Sequence, residues 1–129
     1  MNTEINNQPY TYVFVREDLS LAQQIVQASH ATLEAGFLFQ KPEDISSIVL
    51  FPISNEKALF DIQKHLRSNG IEHVAFYEPD IEQYTAIATK PLFGEAREVM
   101  AEFRTYRPKA DKKWPKRFQK LLDYFDKKR

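Results

Sequence analysis

The feature that most constrains the fold is the continuous apolar run within ISSIVLFPI, residues 45 to 53. A run of this kind, without polar alternation, is typical of a strand that is covered on both faces. YTYVFV, residues 10 to 15, is rich in β-branched and aromatic residues and predicts a neighbouring strand. The chain therefore needs a central sheet with helices packed against it.

Between these two strands, SLAQQIVQASHATLEA has the pattern of a helix. Ser20 is a suitable N-terminal cap, Gln23 three residues later completes a capping box, and Gly36 suits the left-handed position just after a helix. The first helix is therefore predicted to begin after Ser20 and to end at Gly36.

The rest of the chain continues the alternation. A second helix is predicted to start near Ser54 or Asn55, to end at residues 69 and 70, and to bury Leu59, Ile62 and Leu66. Residues 71 to 78 and 84 to 89 predict two more strands, and residues 94 to 104 predict a third helix. This order predicts an α/β fold, a three-layer α/β/α sandwich over a mixed four-stranded sheet.

Composition limits the class of protein. A chain of 129 residues with 43% hydrophobic content can form one domain with one core. The absence of cysteine excludes disulfides, thiolate nucleophiles and the common zinc ribbons. The polar start does not resemble a signal peptide, and no run of 18 apolar residues occurs, so we expect a soluble cytoplasmic protein without a membrane partner.

Charge divides the chain into two parts. Residues 1 to 103 carry 7 Lys or Arg against 15 Asp or Glu, a net charge of −8, whereas residues 104 to 129 carry 11 against 3, a net charge of +8. We therefore expect a disordered tail over residues 1 to 9, the α/β domain over residues 10 to 106, and a basic C-terminal extension over residues 107 to 129 that contains a basic C-terminal helix.

Helical spacing sorts the first helix into two faces. A broad apolar surface contains Leu21, Ala22, Ile25, Val26, Ala28, Thr32 and Leu33, and a polar stripe within about 60° contains Gln23, Gln27, His30 and Glu34. This stripe is either a solvated face with an incidental His30–Glu34 pair or part of a site. A metal centre would need a third ligand, and since His65 and His73 lie on other elements, neither a metal nor a cofactor is expected.

A second cluster of polar residues lies between the last two strands. Glu78, Asp80 and Glu82 precede Thr85 and Thr89. Carboxylates just beyond a strand end are well placed to act on a ligand. Pro79 alone would also explain an ordinary acidic turn, and both interpretations stay open.

These segments together resemble the type 2 peptidyl-tRNA hydrolase family. In that family a strand runs into an Asp-Leu turn and then a helix with Gln-x-Ser-His-Ala, which matches VREDLS followed by Gln27, Ser29, His30 and Ala31. The order continues with SSIVLFPI, the second helix, HVAFYEPD and YTAIAT, so the resemblance covers residues 10 to about 104.

The chain departs from the family pattern at three positions. Gln23 occupies the place of a lysine that the family uses in catalysis. Asp80 lies five residues before Thr85, where the family's Asp lies four residues before its Thr, and Thr89 is only a nearby substitute for a second threonine. Loss of one oxyanion-stabilising donor typically costs about 10² to 10³ in rate.

The resemblance implies hydrolysis of the ester that joins a peptide to tRNA, with tRNA or peptidyl-tRNA as partner and a homodimer as the assembly. It implies that Asp80 orients the attacking water, that Thr85 bonds the reacting carbonyl or orients Asp80, and that His30 shapes the catalytic site. Further contacts to the substrate are expected from Gln23, Gln27, Ser29, Glu78 and Thr89. The alternative is an RNA- or protein-binding module that kept the fold without the activity.

The basic extension lies outside the resemblance. Trp114, Phe118, Leu121, Leu122 and Phe125 share one face of a helix that Pro115 would begin. This face could dock on the domain, on a second subunit or on a membrane surface. Phosphate contacts to RNA are expected from Lys112, Lys113, Lys116, Arg117 and Lys120. Alternatively, these charges simply neutralise the acidic domain.

Overall fold

The structure, a computed structural model, describes residues 8–106. The basic C-terminal helix, its five candidate RNA-binding residues and most of the predicted N-terminal tail lie outside the described residues. The elements are β1 (Tyr10–Arg16), α1 (Leu21–Leu38), β2 (Ser47–Ile53), α2 (Glu56–Ser68), β3 (His73–Glu78), β4 (Gln83–Thr89) and a 3₁₀ helix (Gly94–Met100). No helix within residues 8–106 combines the length and apolarity needed to cross a membrane.

The four strands form one mixed sheet in the order β2-β1-β4-β3. β1 and β2 are parallel, and β4 runs antiparallel to both β1 and β3. α1 packs on one face of the sheet, and α2 packs with the 3₁₀ helix on the other. The three-layer α/β/α arrangement expected from the sequence is therefore confirmed.

The α2 face contains the larger apolar core. Asn55 caps α2, because its side chain accepts a hydrogen bond from the backbone N–H of Ala58 at 2.9 Å. Leu59 and Leu66 are fully buried, and they pack in one cluster with Phe14, Phe51 and Ile87 among others. The bounds of this helix and its buried face agree with the sequence pattern.

The ends of α1 agree with the prediction only in part. Ser20 caps the helix by accepting a hydrogen bond from Gln23 N at 3.2 Å, as expected. The predicted end at Gly36 is wrong, because the helix continues to Leu38 and Phe39 N donates to Ala35 O. The backbone of Gly36 is helical rather than left-handed, so the glycine does not terminate the helix.

The face of α1 that contacts the sheet is not its apolar surface. The residues that the helix buries are Gln24, Gln27, Ala31 and Ala35. Gln27 is 1% exposed, whereas Ile25 on the apolar surface is 61% exposed. The solvated-face interpretation therefore fails for Gln27, because its amide has hydrogen-bonding partners on the sheet and the two alanines permit a close approach.

The third predicted helix is shorter and of another type. Residues 94 to 100 form a 3₁₀ helix, and residues 101 to 103 turn away from it. This turn lets Phe103 pack edge-on against Phe14, with ring centroids 5.2 Å apart. The chain then reaches the edge strand β2, where Tyr106 N donates to Leu50 O at 2.7 Å.

Candidate functional site

The candidate site lies where the carboxyl ends of β1 and β3 meet the start of α1. Both strands are antiparallel to β4, so their carboxyl ends point to the same edge of the sheet. In open α/β sheets this is the edge where loops converge on a ligand. The acidic segment that begins at Glu78 lies at this end of the sheet.

A β-bulge turns Thr85 toward α1. On β3, Phe76 pairs with Ala86 and Tyr77 pairs with Tyr84, which leaves Thr85 as an extra residue on β4. Bulges of this kind change the direction of a side chain beside a site. Thr85 is fully buried and its hydroxyl lies 2.6 Å from Gln27 Oε1.

Gln27 joins the buried threonine to a carboxylate at the surface. Its Nε2 donates to Glu78 Oε2 at 2.8 Å and to Gln23 Oε1 at 3.2 Å. An ionised carboxylate can only accept, so the nitrogen of the Gln27 amide must face Glu78 and its oxygen must face Thr85. The hydroxyl of Thr85 is therefore the donor, and one hydrogen-bonded chain runs from Thr85 through Gln27 to Glu78.

The same reasoning sets the direction of the Gln23 amide. Because Gln27 donates to Gln23, the oxygen of Gln23 faces inward and its –NH₂ group faces outward. Gln23 is exposed in the first turn of α1. Gln23 and Glu78 thus accept from the same Gln27 nitrogen, and Gln23 occupies the position where the resemblance expects a lysine.

Glu78 is held in its ionised form. The hydrogen bond from Gln27 lowers the pKa of this carboxyl below its usual value, and a second bond from the backbone N–H of Asp80, at 3.2 Å, acts in the same direction. Proximity to His30 adds a smaller effect of the same sign. The carboxylate is therefore a weaker base than an ordinary glutamate and remains an acceptor to lower pH.

His30 lies next to this carboxylate on a platform formed by β3. Its ring stacks on Phe76 with the centroids 4.5 Å apart and the planes 4° from parallel. Within residues 8–106, neither ring nitrogen of His30 has a hydrogen-bond partner. The imidazole is thus fixed in orientation by packing, while its nitrogens are available to a ligand.

An arginine fixes the strand ends behind the site. Arg16 is buried, and its guanidinium forms a fork with Asp18, with Nη2 and Oδ2 2.8 Å apart. It also donates to the side chain of Gln83 at 2.7 Å and to the carbonyl of Tyr84 at 3.0 Å. This pair lowers the pKa of Asp18. Because its donors bind protein acceptors, Arg16 positions the start of β4 rather than a substrate.

Gln24 is a structural anchor that sequence reasoning missed. Its Nε2 donates to Leu19 O at 2.8 Å, which ties the loop after β1 to α1, and its Oε1 accepts from the hydroxyl of Tyr106. The sequence pattern did not indicate that Gln24 is buried, since glutamine is usually exposed on helices. Only the position of the sheet identifies Gln24 as an inward-facing residue.

Other predicted residues lie apart from this chain of hydrogen bonds. The side chain of Asp80 is exposed in the turn between β3 and β4, and only its backbone contacts Glu78. Ser29 is exposed and donates to Ile25 O of its own helix. Thr89 lies at the far end of β4, where it accepts from Tyr12 N at 3.0 Å. The structure thus brings together Gln23, Gln27, His30, Glu78 and Thr85.

The polar groups of the site do not form a metal centre. Within residues 8–106 no group of three or more His, Asp or Glu side chains is arranged to hold a metal ion. The chemistry available here is hydrogen bonding by one carboxylate, two amides, a hydroxyl and an imidazole.

Comparisons with known proteins give a fold but no function. No family model matches the chain, and a search of curated proteins finds no match. Among solved structures, the chain is similar to a protein of unknown function from Agrobacterium tumefaciens strain C58. The two share 12% sequence identity with a TM-score of 0.54, over 78% of this chain and 98% of the other. At that identity the likeness shows a shared fold alone.

Proposed function

We propose that this protein is a cytoplasmic hydrolase of the peptidyl-tRNA hydrolase type, which cleaves the ester between a peptide and tRNA. The observation that carries the proposal is the hydrogen-bonded chain from Thr85 through Gln27 to Glu78. It ends in an ionised carboxylate at the carboxyl edge of the sheet, and Gln23 accepts from the same Gln27 nitrogen as that carboxylate. The sequence resemblance supplies the substrate class.

In this proposal Glu78, rather than Asp80, orients the attacking water. An aminoacyl ester is an activated bond, so a positioned water and a stabilised oxyanion suffice without a covalent nucleophile. The outward –NH₂ of Gln23 donates to the carbonyl oxygen as charge develops on it. A neutral amide stabilises that charge less than an ammonium, so turnover is slow. Gln27 and Thr85 are positioning residues.

A second candidate function is an RNA-binding module without turnover. The lowered pKa of Glu78 favours this alternative, because a weaker base is less able to take a proton from water. Such a group can accept hydrogen bonds from ribose hydroxyls without any reaction. The same residues would then recognise the end of a tRNA rather than cleave its ester.

The deciding experiment is release of peptide from a purified N-blocked aminoacyl-tRNA. Glu78→Gln is expected to abolish turnover, and the matched change Asp80→Asn, in the same turn, is expected to leave most of it. Gln23→Lys restores an ammonium and is expected to raise the rate by about 10². Thr85→Val should lower the rate without abolishing it, because the hydroxyl acts through Gln27.

One result would contradict the role of Glu78, and another would contradict hydrolysis itself. Turnover that survives Glu78→Gln but not Asp80→Asn would move the water-orienting role to Asp80. No turnover by the wild-type chain, together with clear tRNA binding, would select the binding module. Binding that weakens steeply with added salt and is lost when residues 107 to 129 are removed would assign phosphate contacts to the basic extension.

A further inference from the structure

The outward face of α1 is apolar and nearly without charge. Between Leu21 and Leu38 the only charged residue is Glu34. Ile25 and Leu33 on this face are more than half exposed. A solvated helix face normally carries charged side chains, and a contiguous apolar patch usually marks a binding surface.

The two hydroxyl groups on this face do not make it polar. Ser29 Oγ donates to Ile25 O at 2.7 Å, and Thr32 Oγ1 donates to Ala28 O at 2.8 Å. Both donors are used within the helix. An apolar partner could therefore cover this face without leaving a hydroxyl hydrogen unsatisfied.

A groove continues the apolar face from α1 to the edge strand β2. Its lining includes Ala28, Thr32 and Leu33 from α1, Ile48 and Leu50 from β2, and Val13 beneath them, around a cavity of about 440 Å³. Ile48 is 60% exposed, and β2 carries no charged residue. We call this surface the α1–β2 groove.

The described chain ends at this groove. Tyr106 N donates to Leu50 O at 2.7 Å, and the Tyr106 hydroxyl donates to Gln24 on α1. The ring of Tyr106 packs in the cluster that contains Ala28 and Leu50. The described part of the chain therefore ends between the two elements that form the groove.

The sequence of this extension matches the groove in reach, length and charge. Residues 107 to 113 can span at most about 25 Å, which is ample to reach a surface that begins beside Leu50. A helix over residues 115 to 127 would be about 20 Å long, comparable with α1 at about 27 Å. Residues 104 to 129 carry a net charge of +8, and α1 and β2 contain no Lys or Arg that would repel it.

We propose that residues 114 to 128 form an amphipathic helix that docks in cis on the α1–β2 groove. The face with Trp114, Phe118, Leu121, Leu122 and Phe125 covers the exposed side chains of Leu33 and Ile48. The lysines of the opposite face stay in solvent. The extension of the chain thereby buries the apolar surface that α1 contributes to the groove.

Fluorescence of the full chain tests this, because Trp114 is its only tryptophan. The docked indole is expected to emit at shorter wavelength than in the urea-unfolded chain. Leu33→Glu and Ile48→Glu each place a charge in the groove and should move the emission toward the unfolded value. Ile81→Glu is the matched control, since Ile81 is 44% exposed in the turn beside β3, the opposite edge strand, and should leave the emission unchanged.

A cross-link provides a second measurement that does not depend on a groove charge being tolerated. The chain has no cysteine, so Ile48→Cys with Leu121→Cys creates a single pair for a short bismaleimide. We expect an intramolecular product in the monomer, and none from Ile81→Cys with Leu121→Cys.

Four results would overturn the proposal. The first two are a native emission equal to that of the unfolded chain, and an emission that neither groove substitution changes. The third is equal cross-linking of the two cysteine pairs. The fourth is a blue shift that vanishes on dilution as a dimer dissociates. The last result would assign the groove to a second copy of the chain.

Discussion

The two helices of this protein relate to their shared sheet in opposite ways. α2 buries Leu59 and Leu66 in the larger apolar core, as its amphipathic pattern requires. α1 buries two glutamines and two alanines against the other face and leaves its large apolar residues outside. The difference teaches that the apolar stripe of a helix identifies its sheet-facing side only when the sheet is its sole partner.

The inward stripe of α1 is explained by the site and not by hydrophobic burial. Gln27 is fully buried because Thr85 and Glu78 satisfy its amide. Ala31 and Ala35 bring the helix close enough to the sheet for these bonds to form. α2 therefore contributes mainly to stability, and α1 contributes mainly to the arrangement of polar groups.

The largest expected effect is a difference in the loss of unfolding free energy between matched substitutions in the two helices. Leu66→Ala deletes a side chain that is 0% exposed and should lower the free energy of unfolding by about 2–5 kcal/mol. Leu38→Ala, the matched change in α1 at 65% exposure, should cost less than about 1 kcal/mol. Urea denaturation of both variants measures the difference. Leu38 does not line the α1–β2 groove, so equal losses would show that the end of α1 is buried by a partner of its own.

The fold was predictable where local pattern and tertiary packing agree. The caps at Ser20 and Asn55 and the buried positions of α2 follow from residue type and spacing. The bulge at Thr85 and the burial of Gln27 were not predictable, because both depend on the register between β3 and β4. The choice between Glu78 and Asp80 depends on that register too, since it decides which carboxylate reaches Gln27.

A smaller effect should appear in a double-mutant cycle across the site. Gln27→Leu or Thr85→Val alone leaves a buried polar partner unsatisfied and should cost about 1–3 kcal/mol of unfolding free energy. The double variant removes both partners and should cost less than the sum of the two single changes. Strict additivity would mean that the 2.6 Å contact between the two side chains contributes nothing to stability.

The smallest change in unfolding free energy is expected from substitutions on the outward face of α1. Ser29→Ala and Thr32→Val remove hydroxyls that bond only to carbonyls of their own helix, so each should change the unfolding free energy by no more than about 0.5 kcal/mol. Thermal unfolding of the full chain measures this. A loss well above that range would show that the outer face depends on polar contacts, which would remove its contrast with the inner face.

The central claim is that Gln27, buried on the inward face of α1, donates to Glu78 and lowers the pKa of its carboxyl, and NMR titration of that carboxyl tests it most directly. In the wild-type chain its pKa should lie below the usual glutamate value, and Gln27→Leu should raise it toward that value because the largest cause of the shift is removed. The stability linked to this group is complete above the pKa of the unfolded chain and is lost as pH falls through the folded-state pKa. A wild-type pKa at the usual value, or one unchanged by Gln27→Leu, would contradict the account.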